Sequence, residues 1–369
     1  MTGLARGSYD VSMNSSDTSP TPSESLQSIA GKIMSDPHGI LAADESNKSA
    51  DKRFESLNIP SSPETHRKYR QLLLTTPNIE QYLSGVIFYD ETIRQATDDG
   101  TAFPQYLIQK GIIPGIKVDK GLIPLDNFAD ETITEGLDGL ADRLKEYYGL
   151  GARFAKWRAA FGVTDTLPSL GAIHANMHVM ARYAAICQSC GIVPIVEPEV
   201  IYDSDHTIER SAEVTQKAIE VCMAMLQAYR VDLTGVILKT SMVLAGKGAT
   251  TQSTPEEVSK ATLDVLRASV PKEIAGIVFL SGGQTPAQAR DNLQAIGSQG
   301  AQPWPITFSF SRAVQDPAMK AWGGKDENVI AAQTTYFEYT KNASLARQGK
   351  FTPSTDDTVD MAATATQDS

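Results

Sequence analysis

The chain has 369 residues, 41% of them hydrophobic, and its 33 Lys and Arg against 44 Asp and Glu give a formal net charge of −11 at pH 7. That length buries a large core, as one barrel-type domain or two ordinary ones, and the acidic balance argues against nucleic acid or an anionic membrane as main partner. No apolar run reaches the roughly 18 residues of a membrane span and the three cysteines, Cys187, Cys190 and Cys222, are too few for a disulfide framework, so a soluble, cytoplasmic or plastid protein with reduced thiols is expected.

Residues 1–21 are rich in Ser, Thr, Pro and Gly, and residues 354–369 are small and polar, so both read as flexible tails. Between them, residues 22–353 contain no comparable linker, which points to one domain. Short β-branched or apolar runs recur at 39–43, 85–89, 112–118, 153–157, 192–196, 235–238, 276–280 and 306–308. The intervals hold segments such as 169–187 and 211–229, with apolar residues at the three- and four-residue spacing of an amphipathic helix. Strands that alternate with helices pair in parallel through crossovers. Eight such units, with no Gly-x-Gly-x-x-Gly turn after the first strand, predict an α/β fold of the (β/α)8 TIM-barrel kind rather than a doubly wound sheet.

A buried strand is nearly all apolar, so charges at its carboxyl end need a reason. Here they come in pairs two residues apart: Lys117 and Asp119 on the third strand, Lys156 and Arg158 on the fourth, Glu197 and Glu199 on the fifth. Two-residue spacing puts each pair on one face of its strand. In a barrel that face can be the interior, and the carboxyl ends of the strands form the mouth where active sites lie. Asp44 after the first strand and Lys239 after the sixth join the same ring. Any one pair is equally well explained as an incidental ion pair on a solvated strand end; the coincidence of five positions is not. The seventh strand runs into Leu280, Ser281, Gly282 and Gly283, whose glycines let backbone N–H groups approach an anion, and the eighth runs into Ser311 and Arg312. The loops after these two strands are the usual phosphate cradle of a barrel. A tight turn would account for Ser-Gly-Gly alone, but its pairing with Arg312 favours the anion site.

Taken together, the motifs Leu41-Ala-Ala-Asp-Glu-Ser46, Gly115-Ile-Lys-Val-Asp-Lys-Gly121, Phe154-Ala-Lys-Trp-Arg158, Pro194-Ile-Val-Glu-Pro-Glu199, Leu238-Lys239, Phe279-Leu-Ser-Gly-Gly-Gln284 and Ala321-Trp-Gly-Gly324 make the chain similar to the class I fructose-1,6-bisphosphate aldolases, over about residues 26–353. The resemblance implies a lyase that reversibly cleaves fructose 1,6-bisphosphate to dihydroxyacetone phosphate and glyceraldehyde 3-phosphate, in glycolysis and gluconeogenesis, without metal or cofactor and as a homotetramer. It implies Lys239 as the Schiff-base lysine, Glu197 as acid and base in forming and dehydrating the carbinolamine, and Asp44 with Lys156 at the carbon–carbon bond that breaks. Ser281, Gly282 and Arg312 would hold one phosphate, with Arg53, Lys117 and Arg158 toward the other end of the sugar.

The chemistry makes matching demands. A lysine attacks a carbonyl only when neutral, which requires its pKa to fall from about 10.4 by roughly 2 to 3 units through burial and a nearby cation, for which Lys156 is the candidate. The iminium then stores the electrons of the broken bond as an enamine, so no metal is required. Glu197, Glu199 and Asp44 supply carboxylates to move protons, and their titrations are coupled.

Many members of that family have Pro-Asn where this chain has Thr240-Ser241, and Gly at the position of Ser311. A negative φ at Ser311 would leave its N–H available to an anion. The well-studied animal enzymes end in a tyrosine that assists proton transfer, whereas the last tyrosine here is Tyr339, so a carboxylate such as Glu197 or a bound phosphate is expected to take that task. His174 with His178, and Cys187 with Cys190, have metal or redox spacing but no further ligand or second pair, and read as structural. Rivals stand beside the main reading: a non-catalytic binding or scaffold barrel, whose mark would be loss of Lys239, Glu197 or Asp44, and a phosphosugar aldolase with another main substrate such as sedoheptulose 1,7-bisphosphate. A metal-dependent barrel enzyme is opposed by the lack of a ligand cluster among the five histidines.

Overall fold

A computed structural model describes residues 24–353; the segments expected as tails, 1–21 and 354–369, lie outside the described residues. Ten strands occur among the described residues: β1 Gly39–Ala43, β2 Leu83–Phe88, β3 Ile113–Lys117, β4 Leu122–Pro124, β5 Thr132–Thr134, β6 Phe154–Phe161, β7 Val193–Val200, β8 Ile237–Thr240, β9 Gly276–Phe279 and β10 Ile306–Phe310. Eight of them close a barrel in the order β1-β2-β3-β6-β7-β8-β9-β10, and β10 returns to β1. Every seam of the barrel is parallel. This is the (β/α)8 barrel that alternating strands and helices predicted. β4 and β5 form a separate antiparallel hairpin between β3 and β6, unanticipated in the sequence because its strands are three residues long and β4 is exposed throughout.

The two-residue side-chain period sorts each barrel strand into an inner and an outer row. Ile40, Ala42, Ile87, Phe154, Val193, Ile195, Ile237 and Val278 fill the interior, and helix Leu26–Ile33 plugs its amino-terminal end with Ile29, Ala30 and Ile33. Ser25 starts that helix by accepting a hydrogen bond from the N–H of Ser28. The intervening residues, among them Leu41, Ala43, Trp157, Val196, Leu238 and Phe279, face outward into the main core beneath the helices. The Phe154 ring needs Gly115: a Cβ there would lie 2.3 Å from it.

Element boundaries moved where a cap or a ladder decides them. The helix read at 169–187 is Leu170–Ser189, capped by the Ser169 side chain, and the one read at 211–229 is Ile208–Ala228, capped by Thr207. β6 and β7 extend past the expected ends at 157 and 196 because their ladder continues to Phe161↔Val200. Arg158, Glu197 and Glu199 therefore sit within strands rather than beyond them. Among the described residues no helix is long and apolar enough to cross a membrane.

Candidate active site

Along five of the eight barrel strands the inner row is apolar low in the barrel and ionised near its carboxyl end. Ile40 and Ala42 are followed by Asp44, Gly115 by Lys117, Phe154 by Lys156 and Arg158, Ile195 by Glu197 and Glu199, and Ile237 by Lys239. The strand period alone thus aims these side chains into one space, a cleft of about 1130 Å³ at the carboxyl ends of the strands. Its lining holds ten Lys and Arg against seven Asp and Glu, the reverse of the chain's overall acidic balance, which suits an anionic ligand.

At its floor lies a chain of alternating charges. Asp44 Oδ2 is 2.8 Å from Lys156 Nζ, Lys156 Nζ is 3.1 Å from Glu197 Oε2, and Glu197 Oε1 is 3.0 Å from Lys239 Nζ. All four are nearly inaccessible, with Lys239 and Glu197 each 3% exposed. Ionised groups survive such burial only when paired. Burial pushes the Asp44 carboxyl up, but Lys156, and then Lys239, outweigh it and bring its pKa down to about 2. Glu197 is likewise held below the usual carboxylate range: burial opposes, and Lys156, Lys239 and Arg158 prevail. Burial would lower Lys156, yet Asp44 and Glu197 raise it, so Lys156 remains a cation.

Around this floor, Lys117 bonds the Asp119 carboxylate at 2.6 Å, and Arg158 pairs with Glu199. Ser281 and Gly282 line the cleft, with Gly282 at φ 54° and Gly283 at φ 92°, backbone that only glycine takes without strain. Gly283 itself is one residue beyond the lining. Ser311 has φ −110°, the negative value that keeps its N–H usable, and it opens helix Arg312–Trp322 without a side-chain cap. The first N–H groups of that helix and the exposed Arg312 face the same cleft as Ser281. Among the described residues no side chain pairs with the Arg312 guanidinium. Arg53, on helix Asn47–Ser56, lines the cleft but is already engaged by Glu45 and, at 2.6 Å, by Asp316.

Comparison with known proteins bears on the family and the fold. The family model for fructose-bisphosphate aldolase class-I matches residues 25–368. A probable fructose-bisphosphate aldolase class 1 of Xanthomonas campestris is 48% identical over 89% of this chain and 98% of its own length, and fructose-bisphosphate aldolase 2 of Caenorhabditis elegans is 45% identical over 89% and 90%. The fructose-bisphosphate aldolase of Plasmodium falciparum, solved in complex with TRAP and a small-molecule inhibitor, matches with a TM-score of 0.88 and 42% identity, covering 89% of this chain and 95% of that one. The chain belongs to the class I fructose-bisphosphate aldolase family.

All but one of the site residues expected for such an aldolase, Gly283 being the exception, line the one cleft. Sequence reasoning missed several neighbours of the aldolase cleft. Glu45 is held between Arg53 and Arg70, and Ser46 caps helix Asn47–Ser56 at the rim; both lie inside the motif that begins at Leu41, which is the only signal they gave. Arg143 reaches from helix Leu140–Gly149 to the carbonyls of Val118, at 2.9 Å, and Gly136, tying down the loop after β3, and nothing local in the sequence marks it. His174 and His178 are exposed on helix Leu170–Ser189, where His178 meets the Tyr229 hydroxyl at 3.0 Å, and the three cysteines are free thiols.

Proposed function

We propose that the chain is a Schiff-base aldolase that reversibly cleaves fructose 1,6-bisphosphate to dihydroxyacetone phosphate and glyceraldehyde 3-phosphate, with Lys239 as nucleophile. The observation that carries this reading is the buried run Asp44–Lys156–Glu197–Lys239, in which the nucleophile's nitrogen lies 3.0 Å from a carboxylate oxygen. Glu197 takes the proton that the Lys239 ammonium sheds before attacking carbon 2 of the open-chain sugar. The same proton then leaves with the carbinolamine hydroxyl as water, and the iminium remains. Asp44, ionised above pH of about 2, accepts the proton of the hydroxyl on carbon 4 as the bond between carbons 3 and 4 breaks. Glyceraldehyde 3-phosphate departs and the electron pair is held as the enamine. Glu197 or the bound phosphate delivers a proton to carbon 3, balanced by the one Asp44 took up and now gives back, and hydrolysis of the iminium releases dihydroxyacetone phosphate and restores the Lys239 amine. Lys156, between the two carboxylates, keeps both ionised and apart.

One phosphate is assigned to Ser281, Gly282 and Arg312 with the open helix end beside them, and the other to the side of Lys117, Arg158 and Arg53. Glu199 orients Arg158 in this scheme. By family resemblance we also assign a homotetramer in a soluble, cytoplasmic or plastid setting, which light scattering and fractionation would check. The test of function is a cleavage assay on fructose 1,6-bisphosphate, sedoheptulose 1,7-bisphosphate and fructose 1-phosphate with wild type and Lys239→Met. The account expects cleavage of the first sugar and its loss in the variant; a folded Lys239→Met protein that still cleaves it would refute the assignment.

A further inference from the structure

The seam between β7 and β8 opens where the reacting groups stand. Its ladder contains only Ile195↔Ile237 and Val196↔Leu238. Above that point β7 is laddered on β6 as far as Val200, and β8 on β9 as far as Thr240. Glu197 and Lys239 are the first residues of the two strands in the open part, yet their side-chain atoms are held 3.0 Å apart.

Pro198 explains the opening. Successive residues of a strand turn their backbone groups to alternate neighbours. Val200 donates its N–H to β8's side of the seam, so Pro198, two residues earlier, is the position that would donate there, and proline has no N–H. The gap also holds three residues on β7, Glu197 to Glu199, against two on β8, so the strands cannot simply resume their register.

The seam is closed again by a side chain. Ser241 Oγ donates to the Val200 carbonyl at 2.9 Å and accepts from the Val200 N–H at 3.2 Å, so one hydroxyl satisfies both backbone groups that Val200 would otherwise give to two residues of a parallel neighbour. Ser241 is 7% exposed, so these bonds do not compete with bulk water. We propose that Ser241 is a positioning residue: its hydroxyl ties the end of β8 to the end of β7 and thereby fixes the distance between Lys239 and Glu197. This rests on the reading of Lys239 as nucleophile, and it assigns Ser241 no contact with substrate.

The test compares Ser241→Ala with Ser241→Thr, which keeps the hydroxyl, and Ser241→Asn, whose amide both donates and accepts. Circular dichroism and thermal unfolding check that each is folded. In Ser241→Ala the account expects kcat for fructose 1,6-bisphosphate to fall about tenfold or more with KM changed less than twofold. The rate at which borohydride traps dihydroxyacetone phosphate on Lys239 should slow in parallel, and whichever of the Thr and Asn variants is folded should recover most of both. A Ser241→Ala enzyme with a lowered melting point but unchanged kcat and trapping rate would overturn the proposal, as would a folded Thr or Asn variant as slow as Ala. If wild type gave no adduct at Lys239, the reading of the nucleophile would fail instead, before Ser241 was put to the question.

Discussion

Asp44 and Arg312 show how two charges in one cleft come to have different work. Asp44 is buried against Lys156 and belongs to the floor, so removing it leaves Lys156 and Lys239 to share the single carboxylate of Glu197. Its folded-state pKa, about 2, lies below the ordinary 3.8. The stabilisation it gives is therefore complete above pH of about 4 and is lost as pH falls through about 2; it amounts to ~2 kcal/mol. Asp44→Asn should abolish cleavage and lower stability at pH 7 by about that much or more, with the gap to wild type narrowing below pH of about 4 in urea melts. A gap independent of pH would mean that the pair with Lys156 is not its source. Arg312 is exposed and has no partner among the described residues, so its loss strands nothing. Arg312→Ala should leave stability unchanged and weaken binding of dihydroxyacetone phosphate by about 1.5 to 3 kcal/mol, tenfold or more in Kd by titration calorimetry. Unaltered affinity would move the phosphate site away from β9 and β10.

Elements carry these residues because a strand has a period of two. That is why the ring of charges was legible in the sequence: Lys156 and Arg158, or Glu197 and Glu199, repeat at the spacing of one strand face, and their inward orientation follows from the apolar residues two positions before. What the sequence did not disclose depends on contacts between distant segments. The reach of Arg143 to Val118, the stitch of Ser241 to Val200 and the engagement of Arg53 by Asp316 each join residues with no local pattern in common. The β4–β5 hairpin escaped notice for want of length, and the ends of β6 and β7 were misplaced because charge was taken to mark the end of a strand that in fact continues on its neighbour's ladder. The same strand logic gives a prediction inside the barrel. Gly115→Ala would put a methyl 2.3 Å from the Phe154 ring, on the strand that leads to Lys117. Overpacking of this kind costs about 1–3 kcal/mol, and the denaturation midpoint should drop accordingly. A midpoint equal to wild type would show that Phe154 can shift without cost.

The whole molecule is an acidic chain built around a cationic cleft, with Lys and Arg outnumbering Asp and Glu in the lining where a bisphosphate would enter. KM for fructose 1,6-bisphosphate should therefore rise with ionic strength while kcat changes little, since salt screens the attraction at the mouth more than the buried pairs at the floor. In a Schiff-base mechanism the iminium is the electron sink, so EDTA should leave the cleavage rate unchanged; a loss that added zinc restored would point to a metal-dependent enzyme. The most direct measurement is of the covalent intermediate itself. Protein incubated with dihydroxyacetone phosphate and borohydride, digested and read by mass spectrometry, should carry the reduced substrate on the peptide that contains Lys239 and nowhere else, with activity lost in step. An adduct on Lys156 or another lysine, or active enzyme that yields none, would contradict the account.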